Sequence, residues 1–113
     1  MVNKIKKIRY VLKNKITGSI EYKYYYLEQI EKGIEKLFDV ESYEIISRDR
    51  CTGKRDEYGK EICENDISSD GLVVFSDSYL GFFILSKDKL KFFYANNLKI
   101  IGDIHQNPEL LGR

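Results

Sequence analysis

The stretch LVVFSDSYLGFFILSKDKLKFFY, residues 72–94, decides the fold class. Leu72 to Phe75, Phe82 to Leu85 and Leu90 to Tyr94 are apolar runs of four or five residues. Polar insertions around Ser76-Asp77 and Lys87-Asp88-Lys89 separate them, and Ser and Asp side chains readily hydrogen-bond a turning backbone. Runs of that length at that spacing predict strands of a sandwich or barrel rather than the helices of a bundle.

The flanking sequence agrees. Ile8, Tyr10 and Leu12 alternate with Lys7, Arg9 and Val11, the period-2 pattern of a half-buried strand. Asn14 to Gly18 supply a turn, and Ile20, Tyr22 and Tyr24 then alternate with Glu21, Lys23 and Tyr25. The first 25 residues therefore predict a β-hairpin with a basic polar face. Leu27, Ile30, Ile34 and Leu37 form one apolar helical stripe, weakened by Gly33, which costs about 1 kcal/mol relative to Ala inside a helix. Tyr43 to Arg48 is a further strand, and Asp56 to Gly59 fits a type I turn with Asp first and Gly fourth. Lys60 to Glu64 resumes extended structure before a turn at Asn65-Asp66. Lys99 to Gln106 is the last strand, and Asn107-Pro108-Glu109 has the chemistry of a helix cap, first position and first turn. One shared core of Ile62, Ile67, Phe83, Leu85, Ile100 and Ile104 is expected. No repeat or linker divides the chain, so residues 1–113 read as a single domain.

Composition sets limits on function. Of 113 residues 42% are hydrophobic and 33% charged, enough apolar material for a modest core, and the nine Tyr and six Phe favour strands. No run reaches the roughly 20 apolar residues of a membrane span, and no signal-peptide core follows the basic start, so a cytoplasmic location is expected. Cys51 and Cys63 are too few for a disulfide scaffold and lack zinc-site spacing; a hairpin at Asp56–Gly59 sets them opposite one another, as thiols kept reduced in the cell, with a bridge formed after purification as the alternative. The net charge of +1 names no partner, but its distribution is uneven. Lys4, Lys6, Lys7, Arg9, Lys13 and Lys15 crowd the start, while Glu28, Glu31, Glu35, Asp39, Glu41, Glu44 and Asp49 follow. Packing of these segments on each other, or self-association, explains the pattern. A basic surface for nucleic acid is the sharper alternative.

Chemistry is hard to find. His105 is the sole histidine, and no nucleophile motif frames any Ser or Cys. Asp66 and Asp70 suit turns, and Asp56, Glu57, Glu61 and Glu64 miss the calcium-loop spacing. No phosphate loop is present, since Gly53 and Gly59 stand alone. No catalytic, metal-ligating or cofactor-binding residue is expected, and the protein reads as a non-enzyme.

Three segments carry a family resemblance. CTGKRDEYGKEICENDI, residues 51–67, resembles the "TG-x-x-D-x-x-G-K-E-I-x-x-x-D-I" signature of the YopX family of phage and prophage proteins. KIIGDIHQNPELL, residues 99–111, is similar to that family's "IEVIGDVYQNPELL" ending, and RYVLKNKITGSI, residues 9–20, loosely to its opening. The matched residues are Thr52, Gly53, Asp56, Gly59, Ile62, Asp66 and Ile67, then Gly102, Asn107 and Pro108. Asn65 stands where the family usually has Gly, and Cys51 and Cys63 where aromatics are usual. The resemblance implies a small, mostly β fold with an SH3-like barrel; joined to the residue patterns, the expected fold is a mainly β, SH3-like barrel or roll with an N-terminal hairpin, one short helix and a C-terminal helical turn. It implies a phage origin and brings no catalytic residues. The matched residues have structural roles available: Asp56 and Gly59 in a turn, Asp66 capping the turn into Ile67, Asn107-Pro108 starting the last helical turn. The expected function is that of a phage accessory protein acting by self-assembly or protein binding. A small nucleic-acid-binding barrel using the six N-terminal cations is the alternative.

Overall fold

The computed structural model describes residues 5–92, 94 and 97–112. Its alternating segments form nine strands in two antiparallel sheets. β1 (Lys7–Asn14), β2 (Ile20–Tyr26), β3 (Tyr43–Arg55) and β4 (Glu61–Cys63) make the first sheet, in the order β2-β1-β3-β4. β5 (Asp66–Ser68), β6 (Gly71–Ser76), β7 (Gly81–Ser86), β8 (Lys89–Lys91) and β9 (Ile100–Asp103) make the second, in the order β8-β7-β6-β5-β9. The fold is thus mainly β, opened by the expected hairpin with Lys7 opposite Tyr26 and Lys13 opposite Ile20.

The single α-helix among the described residues is shorter than its apolar stripe. α1 covers only Leu27–Glu31, and a 3-10 turn at Ile34–Lys36 follows Gly33. Gly33 takes φ +112°, a region side chains rarely adopt, so the helical path cannot continue through it. Phe38 then packs over the first sheet, its ring 6.0 Å from Tyr10 and 6.4 Å from both Tyr25 and Tyr43. Past β9, Pro108–Gly112 forms the closing 3-10 turn.

Ile62 of the first sheet meets Val73, Ile84 and Leu98, with Phe82 and Ile100 against them, and this is the core between the sheets. The expected core is corrected at four residues: Ile67 is buried but pairs with Leu72 and lies outside the cluster, and three others depart as well. Val73 pairs with Ile84 and both are buried, so period-2 alternation turns Phe83 and Leu85 to the opposite face. Ile104, past the end of β9, is only half-buried. β1 is likewise more deeply placed than a half-buried strand: Arg9 and Val11 are buried toward the second sheet, and Tyr10 and Leu12 are buried on the opposite face, where Phe38 and Tyr25 pack on Tyr10.

Cys51 and Cys63 do stand directly opposite in the β3–β4 pairing. Where the sequence suggested two reduced thiols, the structure joins them in a disulfide, Cα atoms 4.0 Å apart. The turn between the strands is the expected one, with Gly59 N–H donating to the Asp56 carbonyl at 3.0 Å.

Core truncations should follow this map. Ile62→Ala, at a side chain with 0% exposure, is expected to cost about 2–5 kcal/mol in urea unfolding. Ile104→Ala should cost clearly less, and the reverse order would show that the core is misplaced.

Candidate functional site

Arg9 leads to the most distinctive feature of the interior. Its side chain points from an inner strand of the first sheet toward the second and is 1% exposed. A buried guanidinium must have its charge and donors matched. Asp49, directly opposite on β3, receives Nε at 3.1 Å and Nη2 at 2.8 Å on Oδ2. Asp66, the first residue of β5 in the second sheet, receives Nη1 at 2.6 Å. Nη2 also donates to the Glu64 carbonyl at 3.2 Å. One cation therefore ties the two sheets together.

A second ring of contacts completes both carboxylates. Asp49 Oδ1 accepts from the Ser47 hydroxyl and from Asn65 Nδ2, the latter at 2.8 Å, and its Oδ2 faces His105 Nε2 at 3.0 Å. A carboxylate only accepts, so that contact needs the proton on Nε2. Asp66 Oδ2 accepts the Cys63 N–H at 2.8 Å. Asp103, opposite Asp66 on β9, accepts the Tyr22 hydroxyl at 2.9 Å and the His105 and Gln106 N–H groups. The Tyr22 ring lies 5.4 Å from the Arg9 guanidinium carbon, within cation–π range.

The charges respond to this enclosure. Burial works against ionised Arg9, yet Asp66 and Asp49 outweigh it and hold the guanidinium above its ordinary value. Burial would raise Asp49, but hydrogen bonds from Ser47, Arg9 and Asn65 outweigh it and leave the carboxyl below the usual range. At Asp66 burial prevails over Arg9 and shifts the carboxyl upward. Among the described residues no buried side-chain nitrogen or oxygen lacks a partner. Asp49 sits between Ser47 and His105, whereas a triad needs the histidine between carboxylate and hydroxyl. The network is built to clamp, and its groups are occupied by each other.

The signature residues serve the same end. Asp56 accepts the Tyr58 and Lys60 N–H groups on Oδ1 and the Ile100 N–H on Oδ2, pinning its turn to β9. Thr52 donates to the Ile62 carbonyl at 2.9 Å across the β3–β4 pair. Gly53 and Gly59 take positive φ, Ile62 and Ile67 are buried, and Pro108 opens the last 3-10 turn. Asn107 does something the sequence did not suggest: its side-chain oxygen accepts the Asp103 N–H at 3.2 Å. It lies only 2.6 Å from where a Cβ on Gly102 would stand, so this contact requires glycine.

The five described N-terminal cations do not assemble. Lys4 lies outside the described residues, and Arg9, read as a surface contact, is corrected to the buried center of the clamp. Lys7 is bound to Glu61 at 2.6 Å and, with exposed Lys6, lines a cleft of about 380 Å³ that also includes Tyr26, Thr52 and Arg55. Lys13 and Lys15 are exposed at the far end of β1, about 20 Å away at ~3.3 Å per residue.

A different surface is conspicuously open. The face of the second sheet turned away from the core carries Leu72, Val74, Phe83, Leu85 and Leu90 by register, and Phe92 packs on it through Phe83. Phe83 packs between Tyr79 and Phe92, with ring centroids 5.7 and 5.5 Å away. Tyr79 is 70% and Phe92 81% exposed. Nothing in the sequence separated this face from the core, because the run Phe82–Leu85 is apolar at every position.

The family comparison matches residues 3–112, nearly the whole chain, to the YopX protein family, and the chain belongs to that family. No curated protein and no solved structure matches it significantly. No helix among the described residues is long and apolar enough to cross a membrane.

Removing one partner of the clamp leaves buried charge unpaired. Arg9→Ala should cost about 3–5 kcal/mol of stability. The stability gap between wild type and Asp49→Asn carries a pH signature. Because the folded Asp49 value is lowered, its contribution is complete above the ordinary Asp value of about 4 and is lost as pH falls through the folded one. Urea titrations of both chains from pH 7 to 2 check this, and a gap that widens on acidification would contradict it. Asp66, shifted the opposite way, shares Arg9 with Asp49, so the same titration of Asp66→Asn is needed to separate its part.

Proposed function

We propose that the protein is a non-enzymatic phage accessory protein that acts in the host cytoplasm by binding another protein. The carrying observation is the aromatic outer face of the second sheet, with Tyr79, Phe83, Leu90 and Phe92 lining a hollow of about 780 Å³. Contiguous exposed apolar surface of this kind marks interaction sites, and aromatic anchors dominate the energetics of protein interfaces. The internal pairing of Arg9, Asp49, Asp66 and His105 supports a structural rather than a catalytic use of the ionisable groups. Nucleic-acid binding has less support, since Arg9 is buried, Lys7 is paired and the remaining described cations are split between two ends of β1.

Phe92→Ser combined with Tyr79→Ser tests the reading, because both side chains are exposed and their loss should leave the melting temperature nearly unchanged. Capture of phage or host protein by the tagged chain from lysogenic cells should fall at least about tenfold. Equal capture by variant and wild type would show that this face is not the docking surface.

A further inference from the structure

β8 ends the second sheet, and its outer backbone edge has no strand partner among the described residues. The β7–β8 register decides where its side chains go. Leu90 stands opposite Leu85 and shares the aromatic outer face with Phe92. Lys89 and Lys91 stand opposite Ser86 and Ile84 and belong to the other face. Two hollows flank the strand accordingly. The aromatic one lies on the outer side, and a second of about 390 Å³ is lined by Ser86, Lys87, Asp88, Lys89 and Lys91; Lys89 borders both. Among the described residues no carboxylate lies within 4.0 Å of these three lysines.

A second copy fits this edge poorly. Two copies joined edge to edge, with both apolar faces on one side, must run antiparallel, and opposed residues then share a face. Lys89 and Lys91 are the two ends of this three-residue strand, so every such register over it sets lysine against lysine. Like charges directly opposed on neighboring strands are destabilising.

We infer that β8 is the docking edge for an extended acidic segment of another protein, one in which acidic and apolar side chains alternate. The inference rests on the protein-binding reading above and names the partner's chemistry. The segment's backbone pairs with the free edge, as in other strand additions. Residues of one parity carry carboxylates to Lys89 and Lys91, and those of the other parity extend the apolar face beside Leu90 and Phe92.

The test titrates the full isotope-labelled chain with a synthetic nonapeptide alternating Glu with Val and Phe, followed by backbone amide shifts. Saturable shifts centred on Lys89–Phe92 are expected, weakening as salt rises. Lys89→Glu with Lys91→Glu should weaken binding by about tenfold or more, and the same peptide with Lys for Glu should then bind the reversed edge instead. Equal binding of the Glu and Lys peptides, or binding unchanged by charge reversal, overturns the inference. So do shifts of the same amides on simple dilution of the protein, which would assign the edge to a second copy. Failure here with protein capture still sensitive to Phe92→Ser removes only the acidic strand, whereas insensitive capture removes the protein-binding reading itself.

Discussion

The structure depends on the burial of one positive charge. Arg9 is enclosed between two sheets, and its carboxylate partners come one from each: Asp49 beside it on β3 and Asp66 across the interface on β5. Apolar packing of Ile62, Val73, Ile84 and Leu98 drives the sheets together but tolerates sliding, because it is nondirectional. The guanidinium bonds do not tolerate it. A slip of one residue in β3 would send Asp49 to the opposite face and leave Arg9 without its lateral partner. The cross-sheet bonds likewise fix where β5 enters, and with it Asp103 and the closing turn.

Much of this was legible in the sequence, and what was not fails for physical reasons. The hairpin, the turn at Asp56–Gly59, the opposition of Cys51 and Cys63, and the apolar runs from Leu72 onward follow from alternation and turn chemistry. Arg9 was misplaced because a charged residue in an alternating strand is normally a solvent-facing one. The missed signal was Val11, apolar and two residues on, hence on the same face. The acidic residue that matches Arg9 lies 40 positions away, and no local pattern links them. The opposite signs of the first two segments did have a structural meaning, since β1 and β3 are neighbors: Arg9 faces Asp49 and Lys13 faces Glu44.

The misassignment within β7 is more instructive. In Phe82-Phe83-Ile84-Leu85 period 2 cannot choose a face, because both faces are apolar. Strands of that kind belong where both sides of a sheet are covered. Here the inner side meets the core, while Tyr79 and Phe92 stay largely exposed on the outer side. The ambiguity in the sequence and the open surface in the structure are one fact: β7 is written for two contacts, and the described chain supplies one of them.

An apolar face beside an unpaired strand edge is a combination that promotes aggregation, and lysines on the edge are a common defense against it. In this sheet the defense is selective. Lys89 and Lys91 repel an identical edge in any face-matched pairing but would attract an acidic one. Nor can the interior clamp neutralise them, since Asp49 and Asp66 are fully buried and committed to Arg9. The molecule thus keeps its two electrostatic tasks apart. Carboxylates fix the relation between the sheets from inside, and unpaired lysines at the far edge of the second sheet govern what may add to it.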